Sequence, residues 1–254
     1  MKLTGKQKIL LLLVSAAAIV LPALFWVNFS NLTGAKTAIG AAPVVPDDPI
    51  RQYVGEKIKY QVKLGIFPVG EAEFKHESIT ELFGTAVHLV SFRTSLARFK
   101  DNEIIYCLPG NLLPVRVERT IEFWPKKEKI VEEYDQTGFS LKITRQEGDR
   151  SAEQIIKRDT VIHNAILLPY YVRTVRDLKE GWRMDVQLPT QRFVVSLASL
   201  EDVKVPAGTF RAYHFISDPR KFEIWISADE KRIPLKLKGT SAAGYTLLLT
   251  DYSL

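Results

Sequence analysis

From Glu56 onward the chain alternates apolar and polar residues with period two, run after run, and such a chain must place most of its residues in strands with one buried face. In EKIKYQVKL, Ile58, Tyr60, Val62 and Leu64 alternate with Lys57, Lys59, Gln61 and Lys63; in GEAEFKHE, Gly70, Ala72, Phe74 and His76 oppose Glu71, Glu73, Lys75 and Glu77. The pattern recurs in VRVERTIEF, GFSLKITR, RMDVQL, FEIWIS and IPLKLK, separated by turn formers such as Pro68, Gly84, Pro109-Gly110, Gly148-Asp149 and Ala207-Gly208. A sheet of roughly a dozen one-faced strands must cover its apolar side by closing, folding double or wrapping a helix. One segment offers that helix: NAILLPYYVRTVRDL, Asn164 to Leu178, is too continuously apolar for a one-faced strand. Pro169 sits deep within it, so the helix is expected to be short and to start near the proline, or to be kinked there. The expected fold class is therefore mainly β: a strongly curved antiparallel sheet or open barrel wrapped on one short helix.

The N-terminus does different work. Lys2, Lys6 and Lys8 precede the apolar run Ile9 to Val27, broken only by Ser15 and Pro22. Nineteen helical residues at ~1.5 Å each reach about 29 Å, the thickness of a bilayer's hydrocarbon core. Cations ahead of the run place the N-terminus in the cytoplasm and the rest of the chain outside. Residues 1–27 are thus expected to be a signal anchor or uncleaved signal segment, residues 28–50 a flexible linker rich in small residues and proline, and residues 51–254 a single β-rich periplasmic domain. A small-x-small site at Ala38 and Gly40 lies far beyond Val27, so retention as a single-pass inner-membrane protein is preferred to secretion after cleavage. The membrane, through this segment, is the first expected partner.

Charge and motif content narrow the function classes. The formal charge is +6, but Lys2, Lys6, Lys8 and Lys36 lie before Asp47; 35 basic residues less these four leaves 31 against 29 acidic ones. A balance that close gives no field for nucleic acid, and none is expected as a partner. Cys107 is the single cysteine, which excludes an intramolecular disulfide and a cysteine metal cluster. His76, His88, His163 and His214 stand at neither metal nor triad spacing, and no nucleophile elbow, phosphate loop or dinucleotide fingerprint is present. The histidines are read as satisfied core residues, Glu71, Glu73, Glu118 and Glu122 as solvated strand faces, and Lys126, Lys127 and Lys129 as a solvated hairpin. No catalytic residue, metal ligand or cofactor is expected, and the chain is not expected to be an enzyme.

Several segments together resemble the exported bacterial proteins of domain-of-unknown-function family 3108. They are Gly55-Glu56 with the strand that follows, Pro68-Val69-Gly70-Glu71-Ala72, LLPYYVRT with its Tyr-Tyr-x-Arg, VKVPAGTF (Val203 to Phe210), IWISADEKRIPLKL (Ile224 to Leu237) and the stretch Gly244 to Tyr252. The family transfers no catalytic residues. The resemblance implies a curved sheet similar to that of periplasmic lipoprotein carriers and, by analogy of fold, an apolar concavity for acyl chains. On that expectation a non-enzymatic envelope protein binds an apolar or amphipathic, lipid or lipid-linked molecule against a wall of Tyr60, Val62, Phe74 and Trp225. Leu167, Leu168, Tyr170 and Tyr171 then form the cover. The alternative is a membrane-anchored scaffold for another envelope protein, and an enzyme of unrecognised type stands third.

Overall fold

A computed structural model describes residues 48–240 and 244–254, so the expected anchor, its topology and nearly all of the expected linker lie outside the described residues. Fourteen strands follow a single 3-10 turn at Arg51–Tyr53. The first eight are β1 (Lys57–Leu64), β2 (Phe67–Leu82), β3 (Thr85–Leu96), β4 (Phe99–Cys107), β5 (Pro114–Phe123), β6 (Lys126–Asp135), β7 (Ser140–Glu147) and β8 (Arg150–Lys157). A connector then carries the helix α1 (Leu168–Arg173), and the remaining strands are β9 (Arg183–Gln187), β10 (Arg192–Val205), β11 (Gly208–Asp218), β12 (Phe222–Ser227), β13 (Pro234–Gly239) and β14 (Tyr245–Ser253).

All fourteen belong to one antiparallel sheet in the order β8-β7-β6-β5-β4-β3-β2-β1-β14-β13-β12-β11-β10-β9. Two hairpin meanders therefore meet where β1 pairs with β14, Tyr60 opposite Leu249 and Val62 opposite Leu247. The period-two reading of the first strands holds: Ile58, Tyr60 and Val62 are buried together with Ala72, Phe74 and His76 across the β1–β2 pair. Gly70 is needed where it stands, because a Cβ there would collide with the Ser95 carbonyl and the Leu96 side chain of β3.

The sheet curls at both wings. Ala207, in the turn between β10 and β11, donates its N–H to the Leu249 carbonyl of β14 at 3.0 Å, reaching across β12 and β13. At the other wing the Gln136 side chain, after β6, bonds Ile162 of the connector in both directions, at 2.9 Å each, and Pro114 at 2.8 Å. His163 then donates to the Gln187 carbonyl of β9 at 2.7 Å. The connector thus bridges the gap between the edge strands β8 and β9, which do not pair with each other, and the barrel stays open.

Helix α1 has six residues, with Pro169 in its first turn, where a missing N–H costs no hydrogen bond. A single isolated turn and a half is too short to persist in water. It exists because every one of its residues is buried, which is why its sequence shows no polar stripe. Asp48 and Ile50 also belong to the folded unit, although the sequence places them in the linker: Ile50 is fully buried and Asp48 binds His88.

Candidate functional site

Glu56, just ahead of β1, and Arg173, at the end of α1, form an ion pair with both side chains wholly buried. Arg173 Nη1 and Nη2 donate to the two Glu56 carboxylate oxygens at 2.6 and 2.7 Å, and the Tyr170 hydroxyl donates to the same carboxylate at 3.0 Å. The guanidinium lies 3.8 Å from the centroid of the Tyr53 ring, and its Nη2 also reaches the Lys231 carbonyl at 3.1 Å. Ser227 and Asp229 shape that last turn: the serine hydroxyl accepts from Ile233 N–H and donates to Asp229, each at 2.7 Å. Burial pulls the Arg173 pKa down, but the Glu56 hydrogen bonds and charge more than offset it, so the guanidinium stays charged. Burial raises the Tyr170 hydroxyl far above its ordinary range, and Glu56 adds to the shift. Tyr171 fastens the helix a second time, donating to the Leu112 carbonyl at 3.1 Å.

A histidine relay lies against this lock. His88 Nε2 faces both oxygens of Asp48 at 3.0 and 2.9 Å, so that nitrogen carries the proton. Its Nδ1 is then the acceptor for His76 Nε2–H at 2.8 Å, which leaves His76 Nδ1 buried without a partner among the described residues. Burial holds His88 below the usual imidazole value, against Asp48, and depresses His76 to about 3, with His88 adding to the effect. Both rings remain neutral near pH 7. The His76 ring sits edge-on to Tyr170 at 6.1 Å.

Further along the same inner face, β4 to β6 carry buried charge where alternation promised apolar residues. Arg119 grips Asp101 with two hydrogen bonds of 2.9 and 2.5 Å and lies 3.7 Å from Glu103. Asn164 of the connector donates to Glu103 at 3.2 Å, and the Tyr134 hydroxyl donates to Glu132 at 2.5 Å. Desolvation raises Glu103 to about 7 despite Arg119, and raises Glu132 as well. Arg119 and, at Glu132, Arg145 offset the buried carboxylates only in part, so desolvation still favours the protonated form of Glu103 and Glu132. Among the described residues no group of three or more His, Cys, Asp or Glu side chains has the arrangement to hold a metal ion.

Tyr60, Val62 and Phe74 do share the inner face, and Leu167, Leu168, Tyr170 and Tyr171 do lie over it. They meet as one packed core: Phe74 and Tyr170 rings are 5.1 Å apart, and the Tyr60 hydroxyl donates to Pro234 at 3.0 Å. A cavity touching Val62 holds about 10 Å³, the space of a single water. Trp225 must be reassigned to the outer face, because it pairs with His214 and Lys236 while its neighbours Ile224 and Ile226 point inward. There it stacks on His214 at 4.1 Å, lies under the Lys236 ammonium at 4.1 Å and donates to Glu201 at 2.7 Å.

The sequence profile of DUF3108, described as a protein of unknown function, matches residues 59–250. The chain belongs to the DUF3108 family. No curated protein matches it. Among solved structures, a beta-barrel-like DUF1849 protein from Brucella abortus is similar at 7% identity and a TM-score of 0.50, over 79% of this chain and 98% of that one. That likeness is one of fold alone. An exported protein with a YmcC-like fold from Bacteroides fragilis aligns at 9% identity over 79% and 96% of the two chains, but its TM-score of 0.31 carries no argument.

In this DUF3108 domain the segments that carry the family resemblance converge on the lock. Glu56 supplies the carboxylate, the Tyr-Tyr-x-Arg segment supplies Tyr170 and Arg173, and the Asp229 turn supplies the Lys231 carbonyl. Burial raises the phenol of Tyr252 on β14 to about 12, and the Glu56 carboxylate adds to the shift. These landmarks therefore fasten the helix into the sheet. Outside, a cleft of about 910 Å³ runs over β1 to β4, bordered by Lys59, Glu71, Glu73, Arg93 and Lys100. Cross-strand register sets Lys59 beside Glu73 and Glu73 beside Arg93, an alternation of charge that stabilises the solvated face.

Proposed function

We propose that this DUF3108 protein is a non-enzymatic scaffold of the cell envelope, delivered by its leader and presenting the outside of a rigid sheet to another envelope protein. The observation that carries this reading is the locked helix. A lid over an acyl-chain pocket would need an apolar hinge and empty volume, whereas α1 is bolted by a buried ion pair over an interior that is filled. The acid–base groups of the inner face are withdrawn from solvent: His76 and His88 are fully buried and Glu103 is 4% exposed, so a substrate has no contact with them. What remains accessible is surface. The outer edge of β8 pairs with no described strand, and Ile155 upon it is 50% exposed, which fits addition of an extended segment from a partner.

Native mass spectrometry separates the scaffold from the lipid carrier. The scaffold reading expects the bare polypeptide mass, and expects Leu168→Glu to unfold the domain. Co-purifying lipid, lost in a Leu168→Glu variant that keeps its β-rich circular dichroism, restores the carrier. A photo-crosslinking residue at Ile155 should capture one partner in cells, while the same residue at Phe83 should not.

A further inference from the structure

The turns β1–β2, β3–β4, β5–β6 and β7–β8 all lie at one pole of the sheet, because each antiparallel pair reverses there. Trp124 N–H, at the β5–β6 turn, donates to the Arg98 carbonyl of the β3–β4 turn at 3.4 Å and ties two of them together. This pole exposes Ile66 at 79%, Phe67 at 67% and Trp124 at 74%. Side chains of that size at the β1–β2 and β5–β6 turns, with the β3–β4 turn between them, add nothing to the core, and their exposure along one pole marks a contact surface.

Beside Trp124 opens a cleft of about 610 Å³ bordered by Lys126, Lys127, Lys129 and Arg150, with Glu147 the one carboxylate among its lining residues. Lys126 lies 3.0 Å from Glu147, and Lys127 lies 2.7 Å from Glu122. Positive charge still dominates the cleft. Lysines alone would be a solvated hairpin, and one exposed aromatic alone would be a turn residue. Their coincidence is what needs an occupant. Indole rings at the depth of the headgroups, apolar turn residues below them and ammonium groups among the phosphates make up the side-chain pattern of a bilayer interface.

We propose that this pole docks onto a phosphate-bearing lipid surface, with Trp124, Ile66 and Phe67 entering the interfacial layer and Lys126, Lys127, Lys129 and Arg150 holding headgroup phosphates. Charge complementarity selects an anionic bilayer over a neutral one. The chain enters the sheet at the opposite pole, where Asp48 meets His88, and the sixteen residues of β2 between the poles span about 53 Å. The twenty residues 28–47 reach about 70 Å when extended, enough to bring the pole back to the membrane that receives the leader. Docking needs no partner protein, so it stands or falls apart from the scaffold reading.

The test holds the full chain by its leader in phosphatidylcholine nanodiscs and measures co-sedimentation with added vesicles. Phosphatidylcholine vesicles containing phosphatidylglycerol should capture the discs and pure phosphatidylcholine vesicles should not. Lys126→Glu with Lys127→Glu should weaken capture at least about tenfold, as should ~1 M salt. Trp124→Ser with Phe67→Ser should also weaken it, and Phe83→Ser at the opposite pole should not; circular dichroism confirms that each variant is folded. Equal capture by both vesicle types, or capture indifferent to the charge reversals, overturns the proposal. Release by inorganic phosphate at constant ionic strength also overturns it, assigning the cleft to a free anion.

Discussion

Replacing Glu103 with Gln isolates the buried carboxyl with the most unusual environment in the domain. Glutamine keeps an oxygen for the Asn164 side chain and leaves Arg119 its two hydrogen bonds to Asp101. The folded-state value near 7 stands above the ordinary 4.5 because desolvation disfavours the charge. Below pH 4.5 both folded and unfolded chains carry this proton, and the group contributes no pH dependence. As pH rises toward 7 the unfolded chain ionises freely while the folded one resists, so stability falls; above 7 both are ionised and the loss levels off. Two and a half pH units at ~1.4 kcal/mol each give about 3 to 4 kcal/mol in full, of which about 2 to 3 falls between pH 5 and pH 8. For a domain of this size that corresponds to roughly 5 to 10 °C in melting temperature. Guanidinium unfolding of wild type and Glu103→Gln at pH 5, 6, 7 and 8 should show the variant gaining on the wild type at each step. The comparison cancels the histidines, which pull stability the other way over part of this range. Parallel curves would refute the reasoning, because they would mean that Glu103 ionises in the fold as easily as out of it.

The other expectations are simpler. Arg173→Met should cost about 3 to 5 kcal/mol because it strands the Glu56 charge in the core, and Glu56→Leu combined with it should recover much of that loss; a double-mutant cycle in denaturant measures both. His76 binds its proton only near pH 3 when folded, so wild-type stability should fall as pH drops from about 6.5 toward 3; His76→Phe should flatten that limb in acid-unfolding curves. Tyr60→Asp should unfold the domain while Lys59→Asp should shift its stability by only about 0.5 kcal/mol, and thermal melts of the two variants check the face assignment.

Much of this fold was legible because burial follows a local rule. Once Tyr60, Val62 and Phe74 alternate with charges, the pleat fixes which face each occupies, and Pro169 fixes where a helix can begin. The inner charges escaped because the same rule equates polar with outward. Asp101 and Glu103 stand in phase with Ile105 and Cys107 in DNEIIYC, and that phase, followed strictly, signals that they point inward. Trp225 is buried, at 4% exposed, but on the outer face, because its neighbours Ile224 and Ile226 hold the inner one. The lock was beyond local reasoning, since Glu56 and Arg173 are 117 positions apart and only the tertiary fold joins them. The same holds for Asp48 and His88, which no motif spacing links.

The pairing of β1 with β14 fixes an order of events for a chain that emerges N-terminus first. The first strand of the sheet stays half-paired through the synthesis of every strand between, and its partner, Tyr245–Ser253, is the last strand of the sheet to appear. Each wing is built of neighbouring hairpins and can form from local contacts, but the seam that joins them waits for the last strand of the sheet. Folding of this domain is therefore gated by the arrival of its fourteenth strand. A chain cut short by even its final strand holds two separate meanders with an exposed edge on each, a state that proteases and chaperones distinguish from the finished sheet.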